Sequence, residues 1–278
     1  MNNIGVMFRQ RAVVSPKLEA YVEPSTGVRV NYAQMNAQIN QCVSLLRELD
    51  VCKGDRVALL MPNCLEFCCL FYATAKLGAV AVPLNTRLTA AELEFILSDS
   101  GSSVLVYGDA FAETVDKIKA GTSHPCTVRE WLPATAGNSS LASRLKKADA
   151  AEPVVTAGGS DNVFIMYTSG TTGNPKGVVH THDSVNAATS AWSMTVDVRY
   201  EDRVLLPLPM FHVAALTTVI FCAMRGISLI SMPQFDPMTV WSLIVDERVP
   251  PGGAAPASLY FMRHVPPFAE LAAPHFRS

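Results

Sequence analysis

The residues best equipped for chemistry lie together in Tyr167-Thr168-Ser169-Gly170-Thr171-Thr172-Gly173-Asn174-Pro175-Lys176-Gly177. Hydroxyls, glycines and one lysine crowd this stretch. The apolar run before it, Val163, Phe164, Ile165 and Met166, reads as a buried strand, and Val178-Val179-His180-Thr181 reads as a second one. A glycine-hinged turn between two strands can aim backbone N–H groups and hydroxyls at a polyanion, and Lys176 adds a compact positive charge. A phosphate is the natural guest. A Walker A loop is excluded, because that motif ends in Gly-Lys-Ser/Thr and opens a helix. Here Pro175 precedes the lysine and a strand follows. The alternative, a Ser/Thr/Gly-rich surface turn, leaves the density of donors between two strands unexplained.

A second constellation is Pro207-Leu208-Pro209-Met210-Phe211-His212. Two prolines stiffen the exit from a strand, and an aromatic and a histidine open the next helix. The helix dipole disfavours a cationic histidine there, so His212 suits the part of a neutral donor. The plainer reading is a half-buried histidine at a helix start. Val213, Ala214, Ala215, Leu216 and Val219 either line an apolar channel or form the core face of that helix, and the sequence leaves both open. His180 and His182 stand two apart on an expected strand, which points both to one face. With no third ligand in view, strand packing or pocket lining is the better expectation than a metal.

The eleven-residue loop resembles the signature phosphate-binding loop of the adenylate-forming enzymes: acyl-CoA synthetases, aryl-CoA ligases, luciferases and peptide-synthetase adenylation domains. The likeness extends through residues 55–85 and 205–234, and is nearest to bacterial long-chain and very-long-chain fatty-acyl-CoA synthetases. It implies an α/β fold: two packed α/β subdomains with mostly parallel sheets flanked by helices, and the C-terminal domain absent. Residues 1–78 with about 212–278 are expected to form one subdomain. About 79–211 form the other, which carries the phosphate loop. The implied reaction is ATP-dependent acyl adenylation followed by thioester formation with CoA, a fatty-acid–CoA ligase. An aryl-acid–CoA ligase and a non-catalytic nucleotide- or lipid-binding remnant are the alternatives.

By this resemblance Thr168, Ser169, Gly170, Thr171, Thr172, Gly173 and Lys176 hold ATP, with Lys176 also catalytic and Thr172 a ligand of Mg²⁺. Phe211, His212 and Val213 line the acid site, and His212 acts beside the substrate carboxylate. Relatives that activate amino acids usually carry Phe-Asp at this point, so Phe211-His212 favours a fatty or aromatic acid. Asp236, in Phe235-Asp236, is expected to be a helix cap instead. The family motifs for adenine, ribose and the C-terminal-domain lysine do not occur before Ser278, and relatives run to about twice this length. The chain is therefore expected to be an N-terminal half that forms no acyl-CoA alone. Relatives also have a strand where this chain reads Arg248-Val249-Pro250-Pro251, and prolines cannot donate to a ladder.

The totals agree with an enzyme of this size. The 278 residues are 49% hydrophobic and 17% charged, enough for a substantial core. A net charge of −2 argues against nucleic acid as a partner. Seven scattered cysteines suit reduced thiols in a cytosol. Cys64, Cys68 and Cys69 fall on an apolar helix-like run and are expected to pack in the core. No leader-like apolar stretch opens the chain and no segment reaches the length of a membrane span. A cytoplasmic location follows, with peripheral contact at the inner face of a membrane as an added expectation if Arg9, Arg11, Lys17, Arg199, Arg203 and Arg248 form a basic rim. Scattered surface charge, diluted by Glu201 and Glu247, is the plainer expectation.

Helices are expected at 4–13, 31–49, 65–77, 89–98, 110–120, 141–148, 183–195, 211–224 and 236–247. Strands are expected at 18–22, 28–30, 56–61, 79–83, 103–107, 204–206 and 227–232, besides the two that flank the loop. Strand–helix–strand alternation implies parallel sheets with right-handed crossovers.

Overall fold

The computed structural model describes residues 2–121, 124, 127–135, 137, 139–168 and 174–250. The elements open with α1 (Ile4–Val14), β1 (Glu19–Glu23), β2 (Val28–Asn31), α2 (Tyr32–Glu48), β3 (Arg56–Leu60), α3 (Leu65–Leu77) and β4 (Val80–Pro83). Then come α4 (Ala90–Ser100), β5 (Ser102–Tyr107), α5 (Ala112–Ala120), β6 (Glu130–Pro133), α6 (Leu141–Leu145), β7 (Asn162–Thr168) and β8 (Lys176–Thr181). The last described are α7 (His182–Ser193), β9 (Arg203–Leu206), α8 (Val213–Arg225), β10 (Ser228–Ser231) and α9 (Pro237–Asp246).

Local chemistry starts several of these helices. Asn31 Oδ1 accepts from Gln34 N at 2.8 Å and Gln34 Oε1 accepts from Asn31 N at 2.9 Å, a reciprocal cap that opens α2. Thr89 and Glu92 form the expected capping box on α4, which closes on Gly101 in the left-handed region at φ 62°. Asp236 accepts from Met238 N and Thr239 N, and Pro237 occupies the first turn of α9. Phe235-Asp236 is thus a helix start, as expected. Asn3 caps α1, accepting from Gly5 N at 2.8 Å and Val6 N at 3.2 Å.

The chain divides into two compact units. The first takes the chain up to Val6, Ala37–Pro62 and Glu66–Val185. Its six-stranded sheet has the order β6-β5-β3-β4-β7-β8, parallel throughout except for the last pair. The second takes Met7–Asn36, Asn63–Leu65 and the chain from Asn186 onward. Its sheet is β2-β1-β10-β9, with only β1–β2 antiparallel. These units do not follow the expected boundaries. β3 pairs with β4 and β5 rather than with the end of the chain, and β9 pairs with β10 rather than with the loop strands. A short, fully buried strand reads alike for either sheet, and only long-range pairing assigns it.

In the first unit, Leu60, Val82, Leu93, Ile96, Leu97 and Leu105 belong to one core, with Ile165 and Tyr167 packed on its edge. Each such buried aliphatic contributes about 1.5–3 kcal/mol relative to exposure. Cys68 and Cys69 are buried in α3. The irregular stretch 122–159 holds β6, which the sequence does not announce. Glu130-Trp131-Leu132-Pro133 is too short to show a period, and its partner β5 lies well upstream. Lys76, read as a helix-end charge, has a side chain with no exposure. Its Nζ donates to Asn40 Oδ1 at 2.7 Å and Glu152 Oε1 at 2.6 Å, which ties this stretch down. The second unit packs Val22, Leu205, Ile230, Val240 and Leu243 between its sheet and α9. Residues 248–250 form no strand; 251–256, the rest of the proline-rich departure, lie outside the described residues.

Candidate active site

β7 and β8 form an antiparallel pair in which Thr168 stands opposite Lys176 and Tyr167 opposite Gly177. The stretch expected to bind phosphate is therefore the connection of a β-hairpin at the edge of the first sheet. Ser169, Gly170, Thr171, Thr172 and Gly173 lie outside the described residues, so the structure fixes the two ends of the loop. Thr168 and Lys176 are exposed.

Two features hold those ends. Tyr167 Oη donates to Asp99 Oδ2 on α4 at 2.6 Å. Burial, followed by the Asp99 carboxylate, raises the Tyr167 phenol above its ordinary value, so it stays a donor. Gly177 leaves room for the ring. A Cβ there would stand 2.8 Å from Ile165 Cγ2 and 3.0 Å from Tyr167 Cζ.

The two neighbouring histidines both make packing contacts. His180 lies on β8 opposite Phe164 and stacks on it, with ring centroids 4.4 Å apart. Burial lowers its pKa. His182 is not on the strand; it is the first residue of α7. The expectation of two residues on one strand face is corrected accordingly, because the chain turns into a helix between them. His182 is fully buried, and its Nδ1 accepts from Ile4 N at 3.2 Å. Burial pushes it down to about 4, against the pull of Asp161 and Asp183. Among the described residues no group of three His, Cys, Asp or Glu could hold a metal ion.

In the second unit, Phe211 is buried while His212 and Val213 are exposed. His212 is the N-cap residue of α8, in extended backbone, and its side chain makes no capping hydrogen bond. The imidazole is thereby presented at the positive end of the helix dipole. Ala215, Leu216 and Val219 are buried. They belong to the core face of α8, whereas Val213 and Ala214 face out.

Asn63 positions this turn. Its Nδ2 donates to Leu208 O at 2.9 Å and Met232 O at 3.0 Å, and its Oδ1 accepts from Met210 N at 2.7 Å. The far end of α8 is held as well. The Tyr32 hydroxyl is shared between Ile227 O at 2.7 Å and Cys222 O at 2.9 Å. Arg11 donates to Ala223 O and Met224 O at 3.0 and 2.9 Å, a cation where the dipole favours one. Asn63 gives no chemical signal in the sequence, since an asparagine after a strand-ending proline reads as a turn residue. Arg203 pairs with Glu19 and Glu247, and Arg11 caps α8, so two of the expected rim cations are engaged inside their own unit.

Residues 8–277 match the family model described as AMP-binding enzyme. The chain belongs to the AMP-binding enzyme family. The long-chain-fatty-acid–CoA ligase FadD13 of Mycobacterium tuberculosis (strain CDC 1551 / Oshkosh) is 67% identical over 277 residues, which cover 100% of this chain and 54% of that protein. A feruloyl-CoA synthase of an Amycolatopsis species is 35% identical over 241 residues, covering 86% of this chain and 46% of that protein. An inhibitor-bound crystal structure of the N-terminal domain of FACL13 from M. tuberculosis superposes with a TM-score of 0.94 at 67% identity. It covers 100% of this chain and 69% of that one. The chain spans about half the length of the curated relatives it matches. Within the family, the α/β architecture with mostly parallel, helix-flanked sheets is the expected one. No helix of the described residues is long and apolar enough to cross a membrane.

Proposed function

We propose that this chain is the part of a long-chain fatty-acid–CoA ligase that grips the phosphates of ATP and receives the acid. The observation that carries the reading is 67% identity to a long-chain-fatty-acid–CoA ligase along the whole of this chain. The fatty carboxylate attacks the α-phosphorus of ATP, giving acyl-AMP and pyrophosphate. The CoA thiol then displaces AMP. Both partners of the first step are anions, so screening and orientation dominate the barrier.

Thr168, Ser169, Thr171 and Thr172 donate hydroxyls to phosphate oxygens, Gly170 and Gly173 allow close backbone approach, and Lys176 supplies charge. Mg²⁺, when bound, neutralises phosphate charge. The Thr172 hydroxyl is an oxygen donor of the kind that hard cation takes. Phe211, His212 and Val213 receive the carboxylate end of the acid, with His212 donating to it as a neutral imidazole. Contact with an anionic membrane surface remains part of the proposal through the exposed Arg9 and Lys17. The likeness to a feruloyl-CoA synthase supports the second reading, an aryl-acid–CoA ligase.

The test is ATP–pyrophosphate exchange with a panel of acids, the chain being supplemented with the C-terminal half of a relative. Exchange driven by long saturated acids supports the proposal. Exchange driven by ferulate or benzoates promotes the second reading. Tight ATP binding with no exchange for any acid points to a binding remnant.

A further inference from the structure

Asp99 stands where helix electrostatics disfavour it. It lies in the last turn of α4, at the negative end of the dipole, and no basic residue shares that turn. Its partner accounts for the placement. The Tyr167 hydroxyl donates to Asp99 Oδ2 at 2.6 Å, across 68 residues of sequence. Tyr167 is the penultimate residue of β7, and its ring packs against the core of the first unit. It lies beside Gly177, the second residue of β8, where a Cβ would crowd the ring. One phenol thus touches both strands of the hairpin and is pinned at its tip to a helix.

The hairpin needs an outside restraint. β8 is the last strand of its sheet, and Val178 and Val179 are 46% and 52% exposed. Among the described residues no strand pairs with its outer side, and an edge pair carrying a glycine at its end is free to splay. A grip on phosphates requires donors held in place before the ligand arrives.

We propose that the Tyr167–Asp99 hydrogen bond is the anchor that fixes Thr168 and Lys176, and so aims the phosphate loop. Asp99 is then a positioning residue that lies outside the loop it serves. The inference deepens the phosphate-binding reading above and rests on it.

The test uses the 278-residue chain and four variants: Tyr167→Phe, Asp99→Ala, Asp99→Asn and the double variant Tyr167→Phe/Asp99→Ala. Amide hydrogen exchange is followed at Thr168, Lys176 and Gly177 without ligand, and tripolyphosphate binding is titrated calorimetrically in magnesium buffer. Loss of one hydrogen bond should speed exchange at those three amides, and weaken tripolyphosphate, by about fivefold in Tyr167→Phe and Asp99→Ala. Asp99→Asn keeps an acceptor oxygen and should stay within about twofold of the parent. The double variant should be no worse than Tyr167→Phe, which already removes the bond to Asp99.

Unchanged exchange in Tyr167→Phe and Asp99→Ala overturns the anchor. So do multiplying losses in the double variant, or a uniform rise across both units, which marks a general loss of stability. If the parent chain does not bind tripolyphosphate, the phosphate-binding reading fails, and with it the aiming role. The exchange data then still decide whether the anchor exists.

Discussion

The phosphate-loop hairpin and the turn from Pro207 to Val213 are held in opposite ways. The hairpin declares its chemistry in eleven consecutive residues, yet it sits on an exposed edge strand and is tied at one side by one phenol. The turn declares little, but a buried amide fixes it at both shoulders through three hydrogen bonds. Chemistry written locally in sequence and geometry imposed from far away are therefore separable here. Substitutions should separate them too.

The largest effect is expected at Asn63. Asn63→Ala removes the amide that bonds the Met210 N–H and the Met232 carbonyl in a buried place and the Leu208 carbonyl in a half-buried one. Urea denaturation should show a loss of about 4 kcal/mol, since each buried unpaired group costs about 1–3. A loss below about 1 kcal/mol would show that water replaces the amide and that the turn is held by something else.

Acid sensitivity should come next and belong to the hairpin's unit. His182 follows β8 directly, and its folded pKa of about 4 lies below the ordinary 6.5. Between these values the unfolded chain binds the extra proton. The contribution is therefore complete above about pH 6.5 and is lost as pH falls toward about 4, a change of up to about 3 kcal/mol. His182→Gln should flatten that part of the stability–pH curve. An unaltered slope would assign acid sensitivity elsewhere.

Gly177→Ala should cost about 1–3 kcal/mol, because the new Cβ meets Ile165 and Tyr167. A thermal melt, with Tyr167 ring resonances followed by NMR, would reveal both the cost and the displacement. The smallest stability effect belongs to Thr172→Ala, expected within about 0.5 kcal/mol of the parent. The same variant should weaken phosphate binding by about 1–3 kcal/mol. A variant that unfolds would place Thr172 in the core and erase the contrast between hairpin and turn.

What the sequence discloses follows the range of the interactions involved. The caps at Asn31, Thr89 and Asp236 are readable because donor and acceptor lie within three residues. The buried strands are readable from composition, but their assignment to subdomains is not, which is why the expected division cuts between β3 and β4 and groups β9 with the loop strands. β6 is too short to be seen alone. His180 and His182 share a parity that predicts one face only if the strand continues, and it stops at Thr181. In the site, Thr168 and Lys176 emerge opposite each other as a hairpin loop requires. Asn63 and Asp99 are silent, because their partners are separated from them by 145, 147, 169 and 68 residues.

The most direct measurement of the central claim is ATP–pyrophosphate exchange by the 278-residue chain supplemented with the C-terminal half of FadD13, offered hexadecanoic acid, ferulic acid and phenylalanine in turn. Exchange with hexadecanoic acid is expected, and Thr172→Ala should reduce it by about tenfold or more. Exchange that prefers ferulic acid or phenylalanine, or that is indifferent to Thr172→Ala, would contradict the central claim.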